Sequence, residues 1–176
     1  MTNVLYESAY GSTRQYAETL AARLGTVAQQ LSDADPAALR SSPEPLVVLS
    51  YVHGPSIPAA GFVADHDLGA RPVAVCAVGM TLLEDARAKD QMAGALGKKG
   101  EVARFYLPGR LSYSTMGRKH RMIMWGIIKA LKAKREADRS ANDRAMIDSY
   151  DRDTDRVDPA ELDQVVQWAE AQGHRS

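Results

Sequence analysis

Ser8, Gly11, Ser12 and Thr13 are the residues whose types and spacing point most clearly to chemistry. They lie in Ser8-Ala9-Tyr10-Gly11-Ser12-Thr13, between the apolar triplet Val4-Leu5-Tyr6 and a segment of helical period. A strand that passes through such a loop into a helix aims hydroxyls, backbone N–H groups and the positive helix end at one point. That point suits a phosphate. Ser8, Gly11 and Thr13 fall within six residues, so they can converge on a single phosphate group. Tyr10 either covers that group or faces solvent. Arg14, just inside the helix, reads as an exposed first-turn side chain.

The stretch Val4 to Leu20 resembles the signature of the flavodoxin family. That signature runs aliphatic, aliphatic, aromatic, any, Ser/Thr, two any, small, any, Thr, three any, Ala, two any, aliphatic. Val4, Leu5, Tyr6, Ser8, Gly11, Thr13, Ala17 and Leu20 meet every fixed position. The resemblance implies FMN as cofactor, its phosphate held by Ser8 to Thr13 with Ala9 and Tyr10 in the loop. It also implies a doubly wound, five-stranded parallel sheet of order 2-1-3-4-5. Ligands of such sheets bind outside the carboxyl ends of the strands, at the switch in strand order. The loops Ser50-Tyr51-Val52-His53-Gly54 and Val78-Gly79-Met80-Thr81 should therefore border the flavin ring. Tyr51 is suited to stack on it. His53 reads as a solvent-facing loop histidine, and no side chain identifies itself as a proton donor.

The elements that must position these loops alternate along the chain, which argues an α/β fold with helices on both faces of the sheet. Helical spacing of Ala17, Leu20, Ala21 and Leu24 predicts a helix from Thr13 to Leu24, with Gly25 just past its end. A weak strand is expected near Thr26 to Leu31, then a turn at Asp33 to Ala38 leading to a short helix. Leu46 to Leu49 reads as an apolar strand buried on both faces of a parallel sheet, the apolar run Val73 to Val78 as the fourth strand and Val102 to Leu107 as the fifth. Helices are expected at Pro58 to Asp65 and at Glu84 to Leu96, the second closed by Gly97 to Gly100. In the last helix Asp158 caps, Pro159 takes the first position and Glu161 completes a capping box. Leu162, Val165, Val166 and Ala169 are its buried stripe.

At 176 residues this is one domain, with the apolar and charged fractions of an ordinary globular protein. Its one cysteine, Cys76, sits in an apolar run and reads as a small buried hydrophobe. A disulfide framework is excluded, no signal-peptide pattern opens the chain, and no apolar run is long enough to span a bilayer. These features point to the cytoplasm. His53, His66, His120 and His174 are scattered, without metal-ligand spacing. The net charge is zero but segregated: Val102 to Arg135 holds no Asp or Glu, and Glu136 to Asp163 is rich in Asp. Such asymmetry suggests that the basic part meets an anionic surface or partner.

Residues 109–157 are a large excess for a link from a fifth strand to a last helix. Their middle, Thr115 to Ala137, has helical period. Ile123, Met124, Ile127, Ile128 and Leu131 share one face, expected to be the buried one. Arg118, Arg121, Lys129 and Lys132 share the other with Met122 and Trp125, a composition suited to a solvated surface or to a membrane interface. A second resemblance enters here, to bacterial menaquinone-dependent protoporphyrinogen dehydrogenases. It rests on Gly11, Thr13 and Arg14, on Leu111 and Tyr113, on the basic Met/Ile-rich helix, and on Asp153-Thr154-Asp155. It implies an FMN oxidoreductase at the inner face of the membrane. The expected partners are a small-molecule redox substrate, a tetrapyrrole or a quinone, and not nucleic acid. The competing readings are a soluble electron-transfer protein and a binder of another flavin or a deazaflavin.

Overall fold

Short β-branched runs and amphipathic helical stretches take turns along this chain, and each run finds its place in one parallel sheet. The structure, a computed structural model, describes residues 1–99 and 101–173. The strands are β1 (Asn3–Glu7), β2 (Ala28–Gln30), β3 (Leu46–Tyr51), β4 (Val73–Gly79) and β5 (Val102–Pro108). They pair in parallel in the order β2-β1-β3-β4-β5, the order that the resemblance implies. Tyr6 stands opposite Leu49, Leu49 opposite Cys76, and Cys76 opposite Phe105, so the central strands end level with one another. Leu46 to Leu49 have no exposed surface, which is why β3 reads as an unbroken apolar run rather than an alternating one.

The helices are α1 (Ser12–Arg23), α2 (Pro36–Ser41), α3 (Pro58–Asp65), α4 (Leu83–Lys89), α5 (Gln91–Leu96), α6 (Arg118–Ala133), α7 (Ala141–Asp148) and α8 (Asp163–Gly173). Tyr16, Ala17 and Leu20 of α1 and Val165 of α8 pack on one sheet face, against Val4, Val47 and Cys76. Residues of α3, α4 and α5 pack on the other, against Leu5, Val48 and Val75. Gly25 ends α1 at φ +66°, and the N–H groups of Gly25 and Thr26 turn back to the carbonyls of Ala22 and Ala21.

Two helical expectations change. Glu84 to Leu96 is not one helix: Asp90 adopts φ +38°, ending α4 and starting α5. Its carboxylate accepts from Arg104 Nε of β5 at 3.0 Å, a tether that holds the aspartate in the left-handed region. Gly100, in the expected closing loop, lies outside the described residues. At the last helix, Asp158 caps as expected by accepting from the Ala160 N–H at 3.0 Å, but no capping box closes. Glu161 turns instead to Arg87, and the Asp158 N–H donates to the Tyr16 hydroxyl at 2.8 Å. The first turn, Pro159–Leu162, is a 3-10 turn that leads into α8.

Between β5 and α8 the chain builds a small ribbon, β6 (Arg110–Leu111) with β7 (Thr154–Asp155), and the helix pair α6 and α7. Ser140 and Asp143 form a reciprocal capping box that starts α7. The segregated charges largely meet each other here. Arg110 pairs with Asp155, Arg121 with Asp151, Lys134 with Asp143, and Arg135 with Asp138.

α6 does not lie on the sheet. It packs on α7 and overhangs the carboxyl ends of the strands. Of its expected buried face only Ile128 is buried, at 2% exposure, while Ile123 and Ile127 keep 58% and 40%. The apolar face is real, but it looks onto a cavity instead of a core.

Candidate functional site

β1 delivers the chain to a turn at the sheet's switch point, between the ends of β1 and β3. In that turn the Gly11 N–H donates to Ser8 Oγ at 3.1 Å, and Gly11 takes φ +85° as the residue before α1. No side chain caps α1, and its first turn holds no acidic residue. The positive helix end is therefore left open to an incoming anion. Ser12 and Thr13 are buried there, at 5% and 1% exposure. Arg110 joins them from β6, its Nη1 lying 3.9 Å from where a Cβ on Gly11 would stand. The guanidinium is held by Asp155 at 2.7 Å and by Gln15 Oε1 at 3.0 Å. A phosphate fits this cradle by charge and by donor chemistry.

The second wall leaves β3. Tyr51 donates its hydroxyl to Glu7 at 3.1 Å, and the His53 and Ser56 backbones close the following turn on each other, with Gly54 at φ +57°. His53 is exposed by area, yet its ring packs 4.5 Å from Tyr51 and 5.5 Å from His120 of α6. The expected solvent-facing histidine thus borders the cavity mouth. His120 completes the group through Nδ1, 3.4 Å from the Tyr10 hydroxyl.

The third wall follows β4. Gly79 passes so close to Tyr106 that a Cβ there would meet its hydroxyl and stand 3.2 Å from its Cζ. That hydroxyl accepts from the Thr81 N–H at 3.0 Å, which fixes the loop. Gly109 N–H binds the Gly79 carbonyl at 2.8 Å, and Arg156 Nη1 binds the Met80 carbonyl at 3.1 Å. Asn142 of α7 accepts from the Leu82 N–H at 3.1 Å, so the helix pair is pinned to this wall.

These walls and the underside of α6 enclose a cavity of about 500 Å³. Of the residues singled out in the sequence, Tyr10, Ser12, Thr13, Tyr51, Val52, His53, Gly54, Val78, Gly79, Met80 and Thr81 line it. Ser8, Ala9 and Gly11 are not part of the lining but belong to the turn that leads into it. Ser50 does not reach it. Fully buried, Ser50 accepts from the Ala59 N–H at 2.9 Å and holds the start of α3. Sequence reasoning missed Arg110 and Arg156, Tyr106, Gln91, His120 and the roof of Met116, Ile123, Met124 and Ile127. The apolar stripe of α6 was the available signal for the roof.

Burial pushes the hydroxyl pKa values of Tyr10, Tyr51 and Tyr106 up, with Glu7 adding to the effect at Tyr51. Burial, then the charge of His120, pulls His53 below the usual histidine value. All four side chains are therefore neutral at neutral pH. Cys76 is fully buried inside the sheet, where desolvation raises its thiol pKa, and it does not line the cavity. Among the described lining residues there is no activated nucleophile; the open helix end and Arg110 present positive charge on one side, and apolar side chains line the space beside them.

A family model described as the flavodoxin domain matches residues 3–138. No curated protein and no solved structure matches the chain.

Proposed function

The chain belongs to the flavodoxin domain family, whose members typically bind FMN, and on that premise we propose an FMN-dependent oxidoreductase similar to the menaquinone-dependent protoporphyrinogen dehydrogenases. Ser12 and Thr13, with the N–H groups at the start of α1 and the guanidinium of Arg110, hold the phosphate. The loops after β3 and β4 border the ring system. When bound, FMN supplies the electron-accepting chemistry, and the protein orients it and excludes water.

One observation carries the enzyme reading over that of an electron carrier. Met116, Ile123, Met124 and Ile127 overhang the cavity, so the space beside the flavin is apolar and partly covered. A carrier needs its flavin edge open to a partner protein, whereas a partly covered apolar chamber suits a flat, hydrophobic small molecule such as a tetrapyrrole. The outer face of α6 supports action at a membrane surface. Met122 and Trp125 are 71% and 53% exposed, and Lys129 lies 4.9 Å over the Trp125 ring. Arg118 and Lys119 stand at the same end of the helix. Apolar side chains set among cations are what an anionic lipid interface attracts. Among the described residues no helix is long and apolar enough to cross a membrane. Contact would be peripheral, with a quinone as acceptor.

The deciding assay is quinone reduction by the FMN-loaded protein with a panel of donors, protoporphyrinogen among them. Turnover with a hydrophobic donor supports the enzyme. Reduction only through a protein reductase points to a carrier, and failure to take up FMN at micromolar levels defeats the reading at its base. Sedimentation with anionic vesicles at low salt tests the membrane contact separately.

A further inference from the structure

The charge of the cavity is one-sided. The guanidiniums of Arg110 and Arg156 line it, and no Asp or Glu does, although the chain carries 22 acidic and 22 basic side chains in balance. Arg110 shares its charge with Asp155. Arg156 does not share its own. Half-buried, it donates to the Met80 carbonyl at 3.1 Å, and among the described residues no carboxylate lies within ion-pair distance of it. Its backbone N–H binds the Gly109 carbonyl at 3.0 Å, so the β6–β7 ribbon sets Arg110 and Arg156 on the cavity together.

A half-buried guanidinium without a counter-ion is costly to the protein unless something negative comes to it. Arginine also keeps its charge at every working pH. Resting on the FMN reading above, we propose that this carboxylate-free wall, and Arg156 above all, raises the reduction potential of the bound flavin, making the protein an electron acceptor from its substrate. A flavin gains negative charge whenever the electrons it receives outnumber the protons that arrive with them. Cations facing a partly covered cavity, where water screens them less than on an open surface, favour that reduced form over the oxidised one. A carboxylate-lined site would do the reverse.

The test is the midpoint potential of protein-bound FMN, measured against reference dyes beside free FMN in the same buffer. The wild type should lie above free FMN. Arg156→Gln should lower the midpoint by at least about 30 mV, the value of a tenfold change in a two-electron equilibrium. Arg156→Lys, which keeps the charge, should recover most of that loss. A wild-type midpoint at or below that of free FMN overturns the inference, and needs no variant. So does an Arg156→Gln protein that is folded by circular dichroism with an unchanged midpoint. Failure to bind FMN would sink the functional reading as well, whereas tight FMN at a low midpoint would sink only this inference.

Discussion

His120 of α6 sets its imidazole 5.5 Å, centre to centre, from that of His53 on the loop after β3. The pair is the contact through which the helix after the sheet closes on a loop that lines the cavity. Tyr10 adds the turn before α1 to the same cluster, with its ring 6.0 Å from His53 and its hydroxyl 3.4 Å from His120. Three separate parts of the chain meet at this mouth, and two of them bring an imidazole.

Acid should loosen that closure. The pKa of His53 lies below 6.5 in the closed structure because burial and the nearby His120 disfavour its charged form. An opened or unfolded state therefore binds the proton more readily, so the closed state loses nothing above about pH 6.5 and weakens as pH falls below it. Hydrogen-exchange protection across residues 118–133 is expected to be lower at about pH 5.5 than at about pH 7.5. His53→Gln should abolish most of that difference. Equal acid sensitivity in wild type and variant would rule out the histidine as its source.

How much of this was legible before folding depends on range. β3 and β4 could be read because strands buried on both faces need unbroken apolar runs, and Leu46 to Leu49 and Val73 to Val78 are such runs. The turn from β1 into α1 could be read because its hydroxyls, glycine and helix start are contiguous. The break at Asp90 could not: its left-handed backbone is held by Arg104, which arrives on another strand. The same holds for Ser50, whose hydroxyl is engaged by α3 and not by a ligand site. Periodicity correctly marked an apolar face on α6, but an apolar face carries no label for core or cavity. The pairing of His53 with His120 and the reach of Arg156 are tertiary facts with no local signature.

Gly79→Ala should damage the wall after β4. The added methyl would run into the Tyr106 hydroxyl and stand 3.2 Å from its Cζ, and that ring is buried and holds the Thr81 N–H. Overpacking of this kind costs about 1–3 kcal/mol. Denaturant unfolding should show the loss, and FMN titration should show weakened uptake from the displaced loop. A variant as stable as the wild type would mean that Tyr106 swings aside freely.

Tyr16→Phe tests the joint between β5 and α8. The Tyr16 hydroxyl donates to the Pro108 carbonyl at 2.7 Å and accepts from the Asp158 N–H at 2.8 Å, and burial pushes its pKa up to about 12. Removing the oxygen leaves both backbone groups unpaired, at roughly 1–3 kcal/mol. The midpoint of urea unfolding should fall with an unchanged slope. Because Tyr16 does not line the cavity, FMN affinity in the folded protein should hold.

Arg110→Gln separates the phosphate from the ring. Arg110 stands over the turn at Gly11, and its charge can act on a phosphate there without touching a ring bound between the other two walls. A charge-assisted hydrogen bond contributes about 1.5–3 kcal/mol, so losing it should weaken FMN binding by about tenfold or more. Riboflavin, which has the same ring and no phosphate, should bind wild type and variant alike. Titrating both ligands against both proteins distinguishes the explanations. A fall in FMN affinity alone assigns Arg110 to the phosphate. An equal fall in both assigns it to the ribbon, through lost pairing with Asp155, and would leave the hydroxyls and helix end at Ser12 and Thr13 to hold the phosphate unaided.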